Sequence, residues 1–223
     1  GWRGRGGLPV EEAELLHAFR SSHAVPAYEP IVGGGANACV LHYRANNAPL
    51  RDGDLLLVDA GAEFECYASD ITRTWPVNGR WSVEQRALYE VVLEAQRAAI
   101  DEIRPRRAWS APHDAAVRAI ARGLIRLGIL KGGLESNIKS EAYKPYFMHK
   151  TGHWLGLDVH DVGDYRVDGD PRPRATASVS SVIDGGCRRF RSRCANSART
   201  ARNIGCVPLS SALQPVSAAR PIE

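Results

Sequence analysis

Two aspartates open the chemical reading of this 223-residue chain. The stretch LLLVDAGAEFECYASDITRTWPV holds Asp59 near the end of one apolar run, residues 55–60, and Asp70 inside a second strand-like run, residues 66–75. Tyr67, Ile71, Thr72 and Thr74 favour a strand there, and residues 61–65 suit a hairpin loop between the two. A loop centred between Phe64 and Glu65 sets Asp59 opposite Asp70 with Cβ atoms ~5 Å apart. A loop off by one residue sends Asp70 to the other face. Facing carboxylates repel, and burying them unpaired is costly. Three arrangements relieve that: one shared proton, a basic partner such as Arg73, or metal ions.

Histidine is the second constellation. His149, His153 and His160 fall within twelve residues, and His42 closes the apolar segment 36–43. His149 and His153 are four apart, but Gly152 and Gly156 argue against a helical zinc motif. Imidazole is both a metal ligand and a proton shuttle near neutral pH. A lone histidine is more often a surface or satisfied core residue. Two aspartates together with a histidine cluster point further, because mixed Asp and His ligation suits Mn, Zn, Co or Fe rather than Ca.

The elements that must position these groups follow from local patterns. Pro9 and the acids Glu11, Glu12 and Glu14 predict a helix from Pro9 to about Phe19. The run Gly33, Gly34, Gly35 reads as a turn, and residues 36–43 as a strand. Ser82 with Gln85 forms a capping box ahead of a helix over residues 83–103, which Pro105 ends. Ser110 caps a second helix with Val117, Ile120, Leu124 and Leu127 on one face, closed by Gly128. A third helix covers residues 134–142, and residues 145–164 are Gly-rich and irregular with short strands. Strands, then helices, then strands make the fold class α+β.

Composition bounds the rest. At 44% hydrophobic and 24% charged the chain is globular, and no apolar run reaches the ~18 residues needed to span a bilayer. The five cysteines are odd in number with no CxxC, so a reducing, cytoplasmic setting is the expectation, and no membrane partner is expected either. No initiator Met is present, and the chain reads as a piece of something longer. Residues 171–223 hold nine Arg, no Lys and two acids, Asp184 and Glu223. With Phe190 as its only aromatic, that stretch offers no stacking platform for nucleic acid.

The strings CVLHY, LLLVDAGAEFECYASDITRTWPVNGRW and PYFMHKTGHWLGLDVHDVGDY, in that order, resemble the Xaa-Pro aminopeptidases. These are pita-bread metallopeptidases, related to prolidase, methionine aminopeptidase and creatinase. The resemblance covers about residues 9–170. It implies a pita-bread α+β catalytic domain over residues 1–170, incomplete at its C-terminal end. It also implies two divalent cations, manganese first with zinc, cobalt or iron as alternatives. These activate a water that attacks the bond before a proline at position two of a peptide. By motif, Asp59 binds one metal, Asp70 bridges both, and His153 binds the second. His42, His149 and His160 are active-site histidines that orient substrate, stabilise the transition state and move protons. The full-length parent is expected to be a homo-oligomer.

The departures concern the end of the chain. The family carries two further Glu ligands, one in a Glu-Pro-Gly stretch and one in a late acidic segment. Here Glu223 is the only Glu after Glu141. Residues 171–223 read as a non-family, Arg/Ala/Ser-rich tail, such as a shifted reading frame of a GC-rich gene gives. The expectation is therefore an Xaa-Pro aminopeptidase whose present chain is impaired. The alternatives are a prolidase and a non-catalytic pita-bread binding module.

Overall fold

A computed structural model describes residues 10–168, 170–171 and 180–182. Most of the Arg-rich stretch, and the expected helix start at Pro9, lie outside them. The chain divides into two compact units. Among the described residues the first holds 10–66 and Arg73–Arg80, and the second holds Tyr67–Thr72 and the residues from Trp81 onward. One helix, a block of short strands, three helices and a second block of short strands follow one another along the described chain, in keeping with the α+β expectation.

In the first unit, helix α1 (Val10–Ser21) opens with Glu11 and Glu12 and closes with Arg20, each charge set against the opposite helix-dipole end. Its Phe19 is 2% exposed and packs with Ala24, Val32, Leu56, Val58 and Ala60. Strand β1 (Val25–Pro26) follows, then β2 (Ile31–Gly34), and β3 (Leu55–Ala60). β3 lies at the centre of a three-stranded sheet, between β2 and β5 (Ile71–Pro76). β2 and β3 are antiparallel, with Ile31 opposite Asp59 and Gly34 opposite Leu56. Burial alternates along β3: Leu56, Val58 and Ala60 face the core, so the two-residue period turns Leu55, Leu57 and Asp59 to the other face.

Two expectations fail here for identifiable reasons. Residues 36–43 are not a strand. Ile31–Gly34 takes the place beside β3, Gly35 turns the chain at φ +56°, and Gly35–Cys39 forms a 3-10 turn with no buried residue. The segment 61–65 is not a plain hairpin loop either. Ala62–Glu63 forms β4 and pairs with β1, Val25 opposite Glu63, while Glu65 and Cys66 turn at positive φ. Regular strand geometry therefore resumes only at Ile71, not at Cys66.

The second unit is built on two packed helices, α2 (Val83–Asp101) and α3 (Ala111–Arg126). Ser82 Oγ accepts the Gln85 N–H at 3.1 Å and Gln85 Oε1 accepts the Ser82 N–H at 3.0 Å, the reciprocal capping box read from sequence. Ser110 makes no such bond: its backbone is already helical, and Pro112 sets the first turn of α3 instead. Gly128 closes α3 at φ +73°. Val91, Ala95 and Ala99 of α2 meet Ala116, Ala119, Ile120 and Leu124 of α3. Helix α4 (Leu134–Lys139) stops before Ala142, and strands β6 (Gly152–Trp154), β7 (Arg166–Val167), β8 (Asp170–Pro171) and β9 (Ser180–Val182) follow.

The interhelical contact rests on Gly123. A Cβ there would lie 2.3 Å from Val91 Cγ1, and Val91 is wholly buried. Gly123→Ala gains helix propensity but overpacks this contact. We expect a net loss of about 1–3 kcal/mol, read as a lower urea midpoint with unchanged slope.

Candidate metal and histidine site

Asp59 belongs to the first unit, and its strand phase keeps it off the apolar core. The Tyr28 hydroxyl donates to Asp59 Oδ1 at 2.6 Å. Tyr28 reaches it because β2 starts three residues later and pairs Ile31 directly with Asp59. A short bond from a phenol to a carboxylate steadies the charged form of the acid. Tyr28→Phe should lower stability by about 1 kcal/mol, since both groups are only partly buried; a urea titration measures it.

Asp70 belongs to the second unit. Its segment is tied to the chain after β6: Ala68 N–H donates to Gly156 O at 2.8 Å, and Tyr67 O–H to Leu155 O at 3.5 Å. These bonds set Asp70 beside His153 of β6, with Oδ2 at 2.9 Å from Nε2. The other ring nitrogen, Nδ1, lies 2.9 Å from the Trp154 carbonyl. Both ring nitrogens thus face acceptors, which favours the doubly protonated imidazolium. The hydrogen bond to Asp70 is the largest cause of a His153 pKa above the ordinary value. Burial opposes it, because a desolvated imidazolium is disfavoured.

His160 joins this pair. Its ring centroid is 4.1 Å from that of His153, with the planes tilted by 39°. The loop between them is folded on itself. Asp161 N–H donates to Trp154 O at 3.1 Å, and Asp161 Oδ2 accepts the Leu157 N–H at 3.2 Å. Asp70, His153 and His160 are therefore brought together within one unit. His149 stands apart from them on the exposed stretch before β6, its ring 5.8 Å from Phe147. His42 is exposed in the first unit, on a turn at φ 54°.

The donor types fit a divalent cation of the Mn–Zn group: a carboxylate oxygen and an imidazole nitrogen, each only partly exposed and already side by side. Among the described residues no group of three or more His, Cys, Asp or Glu forms a cage. In this arrangement Asp70 and His153 satisfy each other through a proton. A cation and that proton are alternatives for the same two groups.

Three residues escaped sequence reasoning: Tyr28, and the pair His113 and Thr151. Tyr28 sits in a loop 31 positions from Asp59, and only the β2–β3 register joins them. His113 Nδ1 and Thr151 Oγ1 share a hydrogen bond of 2.8 Å across 38 positions. Neither pairing leaves a local signal in the chain.

The description "Metallopeptidase family M24" belongs to the family profile that matches residues 11–200. The Xaa-Pro aminopeptidase of Haemophilus influenzae is 52% identical over 158 residues, covering 70% of this chain and 37% of that protein. The solved structure of aminopeptidase PepP from Pseudomonas aeruginosa is 55% identical with a TM-score of 0.76, covering 79% of this chain and 40% of that one. The chain thus spans somewhat over a third of the relatives it matches. The likeness bears out the pita-bread α+β fold for the part that the chain includes.

Structures of Escherichia coli aminopeptidase P, 43% identical with a TM-score of 0.74, carry single alanine replacements. These fall on two aspartates eleven residues apart, on a histidine seventeen before the first of them, and on a histidine ninety after it. Asp59, Asp70, His42 and His149 stand at the same intervals here. A glutamate of that enzyme is also replaced, in a complex with substrate. Counted at the same spacing, it falls on Val182.

Proposed function

The chain belongs to metallopeptidase family M24, and from that premise we propose that its parent protein is a metal-dependent aminopeptidase releasing the residue before a proline at position two. The observation that carries the proposal is the Asp70–His153 pair, a carboxylate and an imidazole brought together by a tethered segment in the motif order of the family. Support comes from the shared intervals of His42, Asp59, Asp70 and His149 with residues replaced in the E. coli enzyme.

In this reading Asp59, Asp70 and His153 hold divalent cations, manganese first. A bound cation supplies an acidified water and polarises the peptide carbonyl. The chain's own groups do the rest. Tyr28 holds the Asp59 carboxylate in one orientation. His160, its ring tilted against that of His153, is assigned to take or give a proton at the reacting bond. His149 and His42, exposed on loops, are the groups free to meet a peptide. The reading places the parent in the cytoplasm; in support, the two cysteines among the described residues, Cys39 and Cys66, are free thiols. No helix among the described residues is long and apolar enough to cross a membrane.

The test is mass-spectrometric release of the first residue from a peptide beginning Ala-Pro, on the full-length protein loaded with manganese. Cleavage of Ala-Pro-Xaa but not Ala-Ala-Xaa supports the proposal. Cleavage confined to the dipeptide Ala-Pro makes the protein a prolidase. Peptide binding without turnover makes it a non-catalytic module.

A further inference from the structure

Residues 147–151, which carry His149 and lead into His153, belong to no helix or strand. Beyond the Phe147 N–H, which donates to the Tyr143 carbonyl at 3.0 Å, side chains hold them. Phe147 packs against the α2–α3 cluster, and Thr151 is 4% exposed although it is polar. The group that meets both is His113, in the first turn of α3. Its ring stacks on Phe147 at 5.7 Å between centroids with planes 28° apart, and Nδ1 lies 2.8 Å from Thr151 Oγ1. Phe147 in turn lies against His149.

We propose that His113 is a positioning residue, which fixes the histidine-bearing loop on the rigid α2–α3 pair and so sets where His149 and His153 point. This rests on the site assignment above, but neither the contacts nor the placement depend on a metal. Burial is the main cause that pushes the His113 imidazole below its usual range, with Lys150 adding to it. A neutral ring can bond Thr151 without bringing another cation beside Lys150 and His149. A buried hydroxyl left without this partner would carry a desolvation penalty, so Thr151 and His113 hold each other. Supporting groups of this kind typically change metal affinity by about 10–100-fold when removed.

The test uses the full chain labelled uniformly with ¹⁵N, reading histidine ring nitrogens by long-range ¹H–¹⁵N correlation and backbone amides beside them. His113→Phe keeps the stack and loses the hydrogen bond, whereas His113→Asn keeps a hydrogen-bonding group near Nδ1. Thr151→Val and Thr151→Ser make the same comparison from the other side. Under the proposal His113→Phe and Thr151→Val move the His149 and His153 signals, and His113→Asn and Thr151→Ser restore them. His17, His23 and His42 of the other unit stay still. Manganese affinity falls about tenfold in the first two variants. Unmoved His149 and His153 signals in Thr151→Val overturn the proposal. So does a change spread equally over the α2 amides, which marks general loosening. If His113→Phe does not fold, Thr151→Val decides alone. If the unaltered chain binds no manganese, the metal assignment fails while the ring spectra still decide this point.

Discussion

Asp70→Ala should reduce manganese affinity by about 100-fold or more, the upper end of what supporting groups cost, because under the proposed assignment it removes a direct donor. It should also release His153. In the unaltered chain Asp70 holds the His153 imidazole above its ordinary pKa of 6.5. A cation competes with that proton, so affinity should drop about tenfold per pH unit below the raised pKa. In Asp70→Ala the onset of whatever pH dependence remains moves down toward 6.5. Calorimetric titration with manganese at several pH values measures both effects. A flat pH profile in the unaltered chain would show that His153 is not a ligand.

The same pair fixes a stability trend without any metal. His153 has a higher pKa folded than unfolded, so its ion pair stabilises the fold fully below about pH 6.5. That contribution fades as pH rises through the raised folded-state value. Manganese in excess should remove the trend, since it replaces the proton and itself stabilises the folded form by mass action. Thermal melts with and without the cation distinguish the two regimes.

Much of this was readable from residues alone, and the limits have physical causes. The capping box at Ser82 was legible because it is a four-residue pattern with one geometry. The apolar run before Asp59 read as a strand, and its alternation of burial follows from the pleat. Residues 36–43 were misread because apolar content does not say which of two neighbouring segments wins the place beside β3. Gly33–Gly35 looked like a turn, yet Gly33 and Gly34 pair in β2. The nearness of His153 and His160 was legible through their spacing, whereas the role of His113 was not. His113 is one histidine on an amphipathic helix, and only the folded loop brings Thr151 and Phe147 to it.

The remaining large effect concerns catalysis by the chain as it stands. We expect no manganese-dependent cleavage of Ala-Pro-Xaa above the blank by these 223 residues, because the family resemblance implies two further Glu ligands and Glu223 is the only Glu after Glu141. Position 182 makes the point concrete. β9 pairs with β6 so that Val182 faces Gly152 and Ser181 faces His153. The position reached by counting from the E. coli replacements is thus a backbone neighbour of the histidine strand, and it holds an apolar side chain. A water held by an incomplete ligand set is poorly acidified. Joining the C-terminal segment of the Pseudomonas relative after residue 170 should supply the missing carboxylates and raise cleavage by about 10³-fold or more, the scale on which one preorganised charge-stabilising group acts. Val182→Glu alone should raise manganese affinity without restoring full turnover, since the second Glu is still absent. Turnover by the unaltered chain at the rate of the chimera would show that Asp59, Asp70 and His153 suffice. A chimera that folds, binds manganese and binds peptide yet cleaves nothing would place this chain with the non-catalytic members of its fold.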